Sequence, residues 1–150
     1  VKPNDVVPDF EAVDDAGRSV HLSDLLAAGP VVLFFYPKAL TTGCTAEACH
    51  FRDLKAEFAR YGASPVGISA DAVERQAKFR DKHDFEFPLL SDPDRSIATA
   101  FGVKRWGPLL NKRATFVIDT DRRLLDVIQS EMNMHAHADQ ALAALEAHKG

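Results

Sequence analysis

Cysteine is scarce in this chain: Cys44 and Cys49 are the two in 150 residues. Two thiols exclude a disulfide-stapled scaffold, and in a compartment that keeps thiols reduced such a pair points to catalysis or redox chemistry. Long hydrophobic runs are also missing; nothing approaches the roughly 20 apolar residues of a membrane span. Strong charge of either sign is absent too. A net charge of −4 gives no electrostatic reason to bind nucleic acid or an anionic membrane. The start, Val1-Lys2-Pro3-Asn4-Asp5, lacks a charged-then-apolar signal layout, so a cytoplasmic location is expected. There is no internal repeat, low-complexity tract or linker, so residues 1–150 are expected to form a single domain. With 46% hydrophobic residues, the chain is long enough to bury about two-thirds of its unfolded surface.

Patterning supplies the elements. Phe10–Val13 and Ser19–Leu22 flank the turn Asp14-Asp15-Ala16-Gly17-Arg18, a hairpin. Val31–Tyr36 is continuously apolar, as in a central strand covered on both faces. Thr45–Tyr61 has helical periodicity, with Ala48, Phe51, Leu54 and Phe58 on one side and Gly62 as the stop. Pro65–Ser69 reads as a buried strand. Asp71 and Glu74 have the spacing of a capping box, opening a helix to about Lys82. Asp92-Pro93 signals a further helix start, ending at Gly102. Ala114–Ile118 and Leu124–Ile128 form a second hairpin, and Ala136–His148 a closing helix with Ala138, Leu142 and Leu145 facing inward. This order predicts an α/β protein: a central mixed sheet, helices on both faces and an N-terminal hairpin.

Cys44 ends the run Tyr36-Pro37-Lys38-Ala39-Leu40-Thr41-Thr42-Gly43-Cys44, directly after the apolar strand. A lone buried cysteine is ordinarily an inert small hydrophobe. A thiol in the first turn of a helix is different, because unpaired N–H groups and the helix dipole there favour an anion. That matters because a free thiol of pKa ~8.5 is only a few per cent thiolate at neutral pH. Thr41 offers a hydroxyl to the sulfur or to an oxygen bound beside it, and Pro37 restrains the turn and removes a competing donor. The sulfur still needs a cation. Arg113, at the mouth of the strand Ala114–Ile118, is the candidate.

Pro37-x3-Thr41-x2-Cys44 matches the active-site signature of peroxiredoxins. The longer run Phe35-Tyr36-Pro37-Lys38, Gly43-Cys44-Thr45, Glu47-Ala48-Cys49 and Phe51-Arg52-Asp53 resembles the PrxQ subfamily, or bacterioferritin comigratory protein. The likeness continues through Val66–Ser69, Phe87–Asp92 and Arg113–Asp119, nearly the whole chain. It implies a thioredoxin fold and a thiol peroxidase acting on hydrogen peroxide and organic hydroperoxides, with no metal, haem or flavin. By matched position, Cys44 is the peroxidatic cysteine, Thr41 orients peroxide, Pro37 shields the pocket and Arg113 activates thiolate and peroxide. Glu47 matches the carboxylate that holds the arginine. Cys49 matches the resolving cysteine of one branch, with thioredoxin or a similar dithiol as reductant and a monomer as the expected state. The chain departs from the pattern at Thr42, where the family usually has proline, at Ala39-Leu40, which replaces a common acidic-then-Met pair, and in the loop Lys104–Lys112.

A Cys44–Cys49 disulfide is geometrically demanding. Five residues along an α-helix rise ~7.5 Å and turn ~140°, so the bond requires the first turns of the helix to unwind. Two rivals use the same cysteines. A general thiol–disulfide oxidoreductase is disfavoured because four residues, not two, separate the thiols. A redox sensor or holdase would use the switch to alter binding to another protein. Other signals are bland. His135-x-His137 reads as helix capping or surface rather than a metal site. Met132 and Met134 read as packing, His50 as an exposed helix residue and Trp106 as core packing or a pocket wall. Lys112-Arg113 and Arg122-Arg123 form too small a cluster for nucleic acid.

Overall fold

One seven-stranded mixed sheet organises the chain. The computed structural model describes residues 1–106 and 110–148. The elements are β1 (Glu11–Asp14), β2 (Ser19–His21), α1 (Leu22–Leu26), β3 (Val31–Phe35), α2 (Thr42–Asp53), α3 (Lys55–Ala59) and β4 (Ser64–Ser69). They continue with α4 (Val73–His83), β5 (Leu89–Ser91), α5 (Ser96–Ala100), β6 (Ala114–Ile118), β7 (Leu124–Gln129) and α6 (Ala136–Ala147). The strand order is β2-β1-β5-β4-β3-β6-β7. β3 lies parallel to β4 and antiparallel to β6, with Phe35 opposite both Ile68 and Ala114.

Strand alternation divides the core. Val32 and Phe34 face one side with Phe51, Phe58, Phe79 and Ala141, under α2, α3, α4 and α6. Val31, Leu33 and Phe35 face the other with Leu22, Ile97 and Phe101, under α1 and α5. Burial on both sides explains the unbroken apolar run of β3. On the first side Phe34 stacks on Phe51 with centroids 4.3 Å apart. At Gly67 of β4, a Cβ would stand 2.7 Å from Leu89 and 3.0 Å from Phe34 and Tyr36, so only glycine fits beneath those side chains.

Several local expectations change. The helix read over Thr45–Tyr61 begins earlier, at Thr42, and breaks at Leu54, which leaves helical dihedrals (φ −96°, ψ 17°). Its stop at Gly62 is as read, in left-handed backbone (φ 65°). The capping box at Asp71 does not form: Ala72 is the N-cap of α4. The Asp71 carboxylate instead accepts from Ala39 N–H at 2.7 Å and the Ser69 hydroxyl at 2.6 Å. The N-cap of α5 is Arg95 rather than Asp92, although the Asp92 carboxylate reaches forward to receive the Ile97 and Ala98 N–H groups. That helix starts only at Ser96, so Pro93 stands outside it. Strand β5 and helix α1 are too short for sequence periodicity to register. Of the loop Lys104–Lys112, Gly107, Pro108 and Leu109 lie outside the described residues.

Candidate active site

The loop from Pro37 to Thr41 carries the chain from the end of β3 to the start of α2. It is anchored at Ala39, whose N–H goes to Asp71 and whose carbonyl accepts from Arg75 Nη2 at 2.7 Å. The next residue, Leu40, has left-handed backbone (φ 66°), uncommon for a bulky side chain. Conformations of this kind cost on the order of 1–3 kcal/mol and persist when neighbouring contacts enforce them. Here the bonds that Asp71 and Arg75 make to Ala39 do so.

Thr41 is the N-cap of α2, and Cys44 is the third helical residue. Its first-turn position is therefore as expected. The first α-helical bond runs from Thr45 N–H to the Thr41 carbonyl, 2.9 Å. The Thr41 hydroxyl donates not to the sulfur but to the Lys38 carbonyl, 2.8 Å away, which ties the loop to itself. Pro37 is half-buried where β3 ends.

The cation sought from sequence comes from β6. Arg113, immediately before that strand, donates from Nη2 to Cys44 Sγ at 3.2 Å and from Nη1 to Glu47 Oε1 at 2.6 Å. Gly43 leaves room for this: a Cβ there would stand 3.3 Å from Nη2. Cys44 is 1% exposed, Arg113 6% and Glu47 0%, so the three interact with little solvent screening. Burial pushes Glu47 up to about 8, against the pull of Arg113. Burial also disfavours the guanidinium charge, yet Glu47 and Cys44 together hold its pKa above the ordinary arginine value. The Arg113 backbone N–H is fixed by Glu131 Oε1 at 3.0 Å, which also accepts from Arg105.

Cys49 lies on the same helix, half-buried, and both thiols are free. Two Cα atoms five apart in an intact helix are over ~8 Å from one another, too far for a disulfide. Burial raises the Cys49 thiol above its usual range. The next residue, His50, bonds Asp139 of α6 at 2.8 Å, and its ring stacks on His135 at 4.2 Å.

Other readings need correction. His137 is not a surface residue: it is fully buried, with Nδ1 2.8 Å from Thr115 Oγ1 and Nε2 2.8 Å from the Ser130 carbonyl. His50 is not a free surface side chain, and Met132 is 91% exposed rather than packed. Trp106 is 87% exposed, which removes the core-packing reading. Among the described residues no three His, Cys, Asp or Glu side chains gather as metal ligands, and no helix is long and apolar enough to cross a membrane.

The profile of the AhpC/TSA family matches residues 3–127. The chain belongs to this peroxiredoxin family. A Mycobacterium tuberculosis H37Rv protein carrying the peroxiredoxin name is 59% identical over 150 residues, covering 98% of this chain and 97% of the relative. Peroxiredoxin Bcp of Bacillus subtilis is 39% identical over 145 residues, 93% of this chain and 91% of its own. Among solved structures, peroxidoxin BcpB of M. tuberculosis superposes with a TM-score of 0.97 at 57% identity, covering 100% of this chain and 99% of that one. A Xanthomonas campestris bacterioferritin comigratory protein, described for its alkyl peroxide reduction activity, gives 0.84 at 33% identity, covering 93% and 91%. The fold is thus the thioredoxin fold of this peroxiredoxin family, and the activity is that of a thiol-dependent peroxidase.

Proposed function

We propose that Cys44 is the peroxidatic thiol and Cys49 the resolving one. The single observation that carries the first assignment is the Arg113 fork: a buried cation, itself held by Glu47, bonded to the cysteine sulfur at 3.2 Å. A cation in that position favours thiolate over thiol and offers N–H donors to a peroxide oxygen beside it. The thiolate attacks the O–O bond, the S–O bond forms, and the second oxygen leaves with a proton as water or alcohol. Cys44 is then a sulfenic acid. Thr41 is assigned to orient the peroxide once its hydroxyl turns from Lys38, and Pro37 to screen the sulfur from solvent.

Resolution follows when the Cys49 sulfur displaces the sulfenic oxygen as water, giving a Cys44–Cys49 disulfide. Because both cysteines lie on α2, this step requires the helix to unwind from its N-terminal end. A dithiol of the thioredoxin kind then returns both thiols. Hydrogen peroxide and alkyl hydroperoxides are the proposed substrates, supported for the latter by the X. campestris relative. The working form is a monomer of one domain, the latter supported by the single sheet that joins all seven strands. The need for two reduced thiols between turnovers suits a reducing compartment such as the cytoplasm.

The test is a single turnover: reduced protein mixed with one equivalent of hydrogen peroxide, with free thiols and mass followed in time. Loss of both thiols with a mass drop of about two hydrogens is expected. The Cys49→Ser variant should stop at one lost thiol and one added oxygen. An unchanged disulfide yield in that variant would remove Cys49 from the cycle. Identical hydrogen exchange over residues 43–52 in the two redox states would remove the unwinding step.

A further inference from the structure

Behind the Arg113 fork lies a second layer that the peroxide chemistry above does not use. Glu47 gives Oε1 to Arg113, but Oε2 is fully buried and, among the described residues, has no hydrogen-bond partner. Facing it, 3.5 Å away, is Nδ1 of His137, a side chain with no exposure at all. The tautomer of that ring follows from its neighbours. Nε2 meets the Ser130 carbonyl, which can only accept, so Nε2 carries a proton. In the neutral ring Nδ1 is then bare; its single lone pair accepts from the Thr115 hydroxyl at 2.8 Å and becomes open to a Glu47 proton 3.5 Å away when that hydroxyl turns aside.

Charge counting gives this arrangement a purpose. With Cys44 as thiolate, Arg113 cationic and Glu47 ionised, the buried cluster carries one uncompensated negative charge, and isolated buried ions are costly. The groups facing it do not remove that charge. On α2 these are Cys44 and Glu47, and at β6 Arg113 and the neutral Thr115. After β7 they are the Ser130 carbonyl and Glu131, whose charge is met by Arg105. On α6, Asp139 turns outward to His50. One proton on either Glu47 or His137 makes the cluster neutral.

We propose that His137 is a positioning residue for the peroxidase site: Glu47 Oε2 and His137 Nδ1 hold one proton between them, and that proton leaves the Arg113 charge available to the Cys44 thiolate. When the proton is lost, the Glu47 carboxylate competes in full for the guanidinium. Burial moves Glu47 towards its neutral acid and His137 towards its neutral base, so the proton rests mainly on Glu47 with His137 facing it as the acceptor. His137 touches neither sulfur nor substrate; it acts through Glu47. This rests on Cys44 being the reacting thiol.

The test is the pH dependence of the second-order rate of thiol loss on mixing reduced protein with hydrogen peroxide. The wild-type rate should fall as pH rises through a limb near 8, where the buried proton leaves. A partner that accepts from the neutral acid helps it keep its proton, so His137→Gln should move that limb measurably to lower pH. The melting temperature of the variant, measured alongside, reports packing separately. An unmoved limb in a folded His137→Gln protein would overturn the proposal, leaving His137 as a packing residue. A second readout does not need that variant to fold. The His137 ring resonances should titrate differently in Glu47→Gln than in wild type, and identical titrations would overturn the shared proton. A wild-type chain whose thiols ignore peroxide would overturn the peroxidatic assignment of Cys44 as well, so the two failures are distinct.

Discussion

Arg113 bonds Cys44 and Glu47 with different nitrogens of one guanidinium, Nη2 at 3.2 Å from the sulfur and Nη1 at 2.6 Å from the carboxylate. Planarity makes the two contacts interdependent, because the carboxylate grips one tine and thereby aims the other. A lysine offers charge without a fork. Arg113→Lys should therefore slow the first oxidation by about a hundredfold, and Arg113→Ala by up to about a thousandfold, the scale of losing a positioned donor. Stopped-flow thiol loss measures this. A lysine variant at full rate would show that charge alone suffices.

The C-terminal half of α2 is tied to α6 by His50, through Asp139 and the stack on His135. If α2 must loosen to join the two sulfurs, this tie opposes resolution and not oxidation. His50→Ala should leave the loss of the first thiol unchanged and speed disulfide formation about two- to fivefold, as expected for a partly exposed pair of about 0.5–1 kcal/mol. Quenched samples analysed by mass distinguish the two steps. An equal change in both would mean that His50 acts on Cys44 itself.

Glu47 imposes a pH dependence on stability. Its folded value, about 8, lies above the model-compound value of 4.5. The stabilising contribution of its proton is complete below the unfolded value and is lost as pH rises through the folded one. Between those limits, wild type should lose stability relative to Glu47→Gln by up to about 1.4 kcal/mol per pH unit. Urea unfolding of both proteins across this range is the check, and parallel curves would mean that Glu47 is ionised throughout.

Gly67 lies beneath Leu89, Phe34 and Tyr36, and the nearest of them leaves only 2.7 Å for a Cβ. Gly67→Ala should destabilise the fold by about 1–3 kcal/mol, the range for overpacking a filled core. Because Tyr36 begins the loop to Cys44, the oxidation rate should fall as well. A thermal melt with stopped-flow oxidation tests both, and an unchanged melting temperature would mean that the Leu89 side chain moves aside freely.

The sheet was largely legible because its strands are extreme cases. Five consecutive apolar residues at β3 admit one reading when both faces are covered. Arg113 was legible for a chemical reason: a thiolate needs a cation, and this residue opens a strand that had to run beside β3. His137 was missed through helix phase. Taking Ala138, Leu142 and Leu145 as the inner face of α6 was right for Ala138 and Leu145 but turned His137 outward, whereas His137, Ala141, Ala144 and Leu145 form a buried stripe beside Ala138 and Leu142 is only half-buried. That i, i+4, i+7, i+8 spacing was present in the sequence. Asp71 is a different case, since its capping spacing was correct but a loop 32 residues away took the carboxylate. Glu131 carried no local signal, because its two partners come from the loop before β6 and from the start of that strand.

The seat of both cysteines on one helix also affects the electrochemistry. In the proposed cycle, the helical bonds of α2 and the packing beside Phe51 exist in the dithiol form and are surrendered, in part, by the disulfide. Whatever stabilises the reduced form alone makes the oxidised form a stronger oxidant. Each 1.4 kcal/mol of that difference raises the two-electron potential by about 30 mV. A firmly folded α2 would thus slow the closing of the disulfide and, by the same free energy, make the closed bond easier for an outside dithiol to reduce.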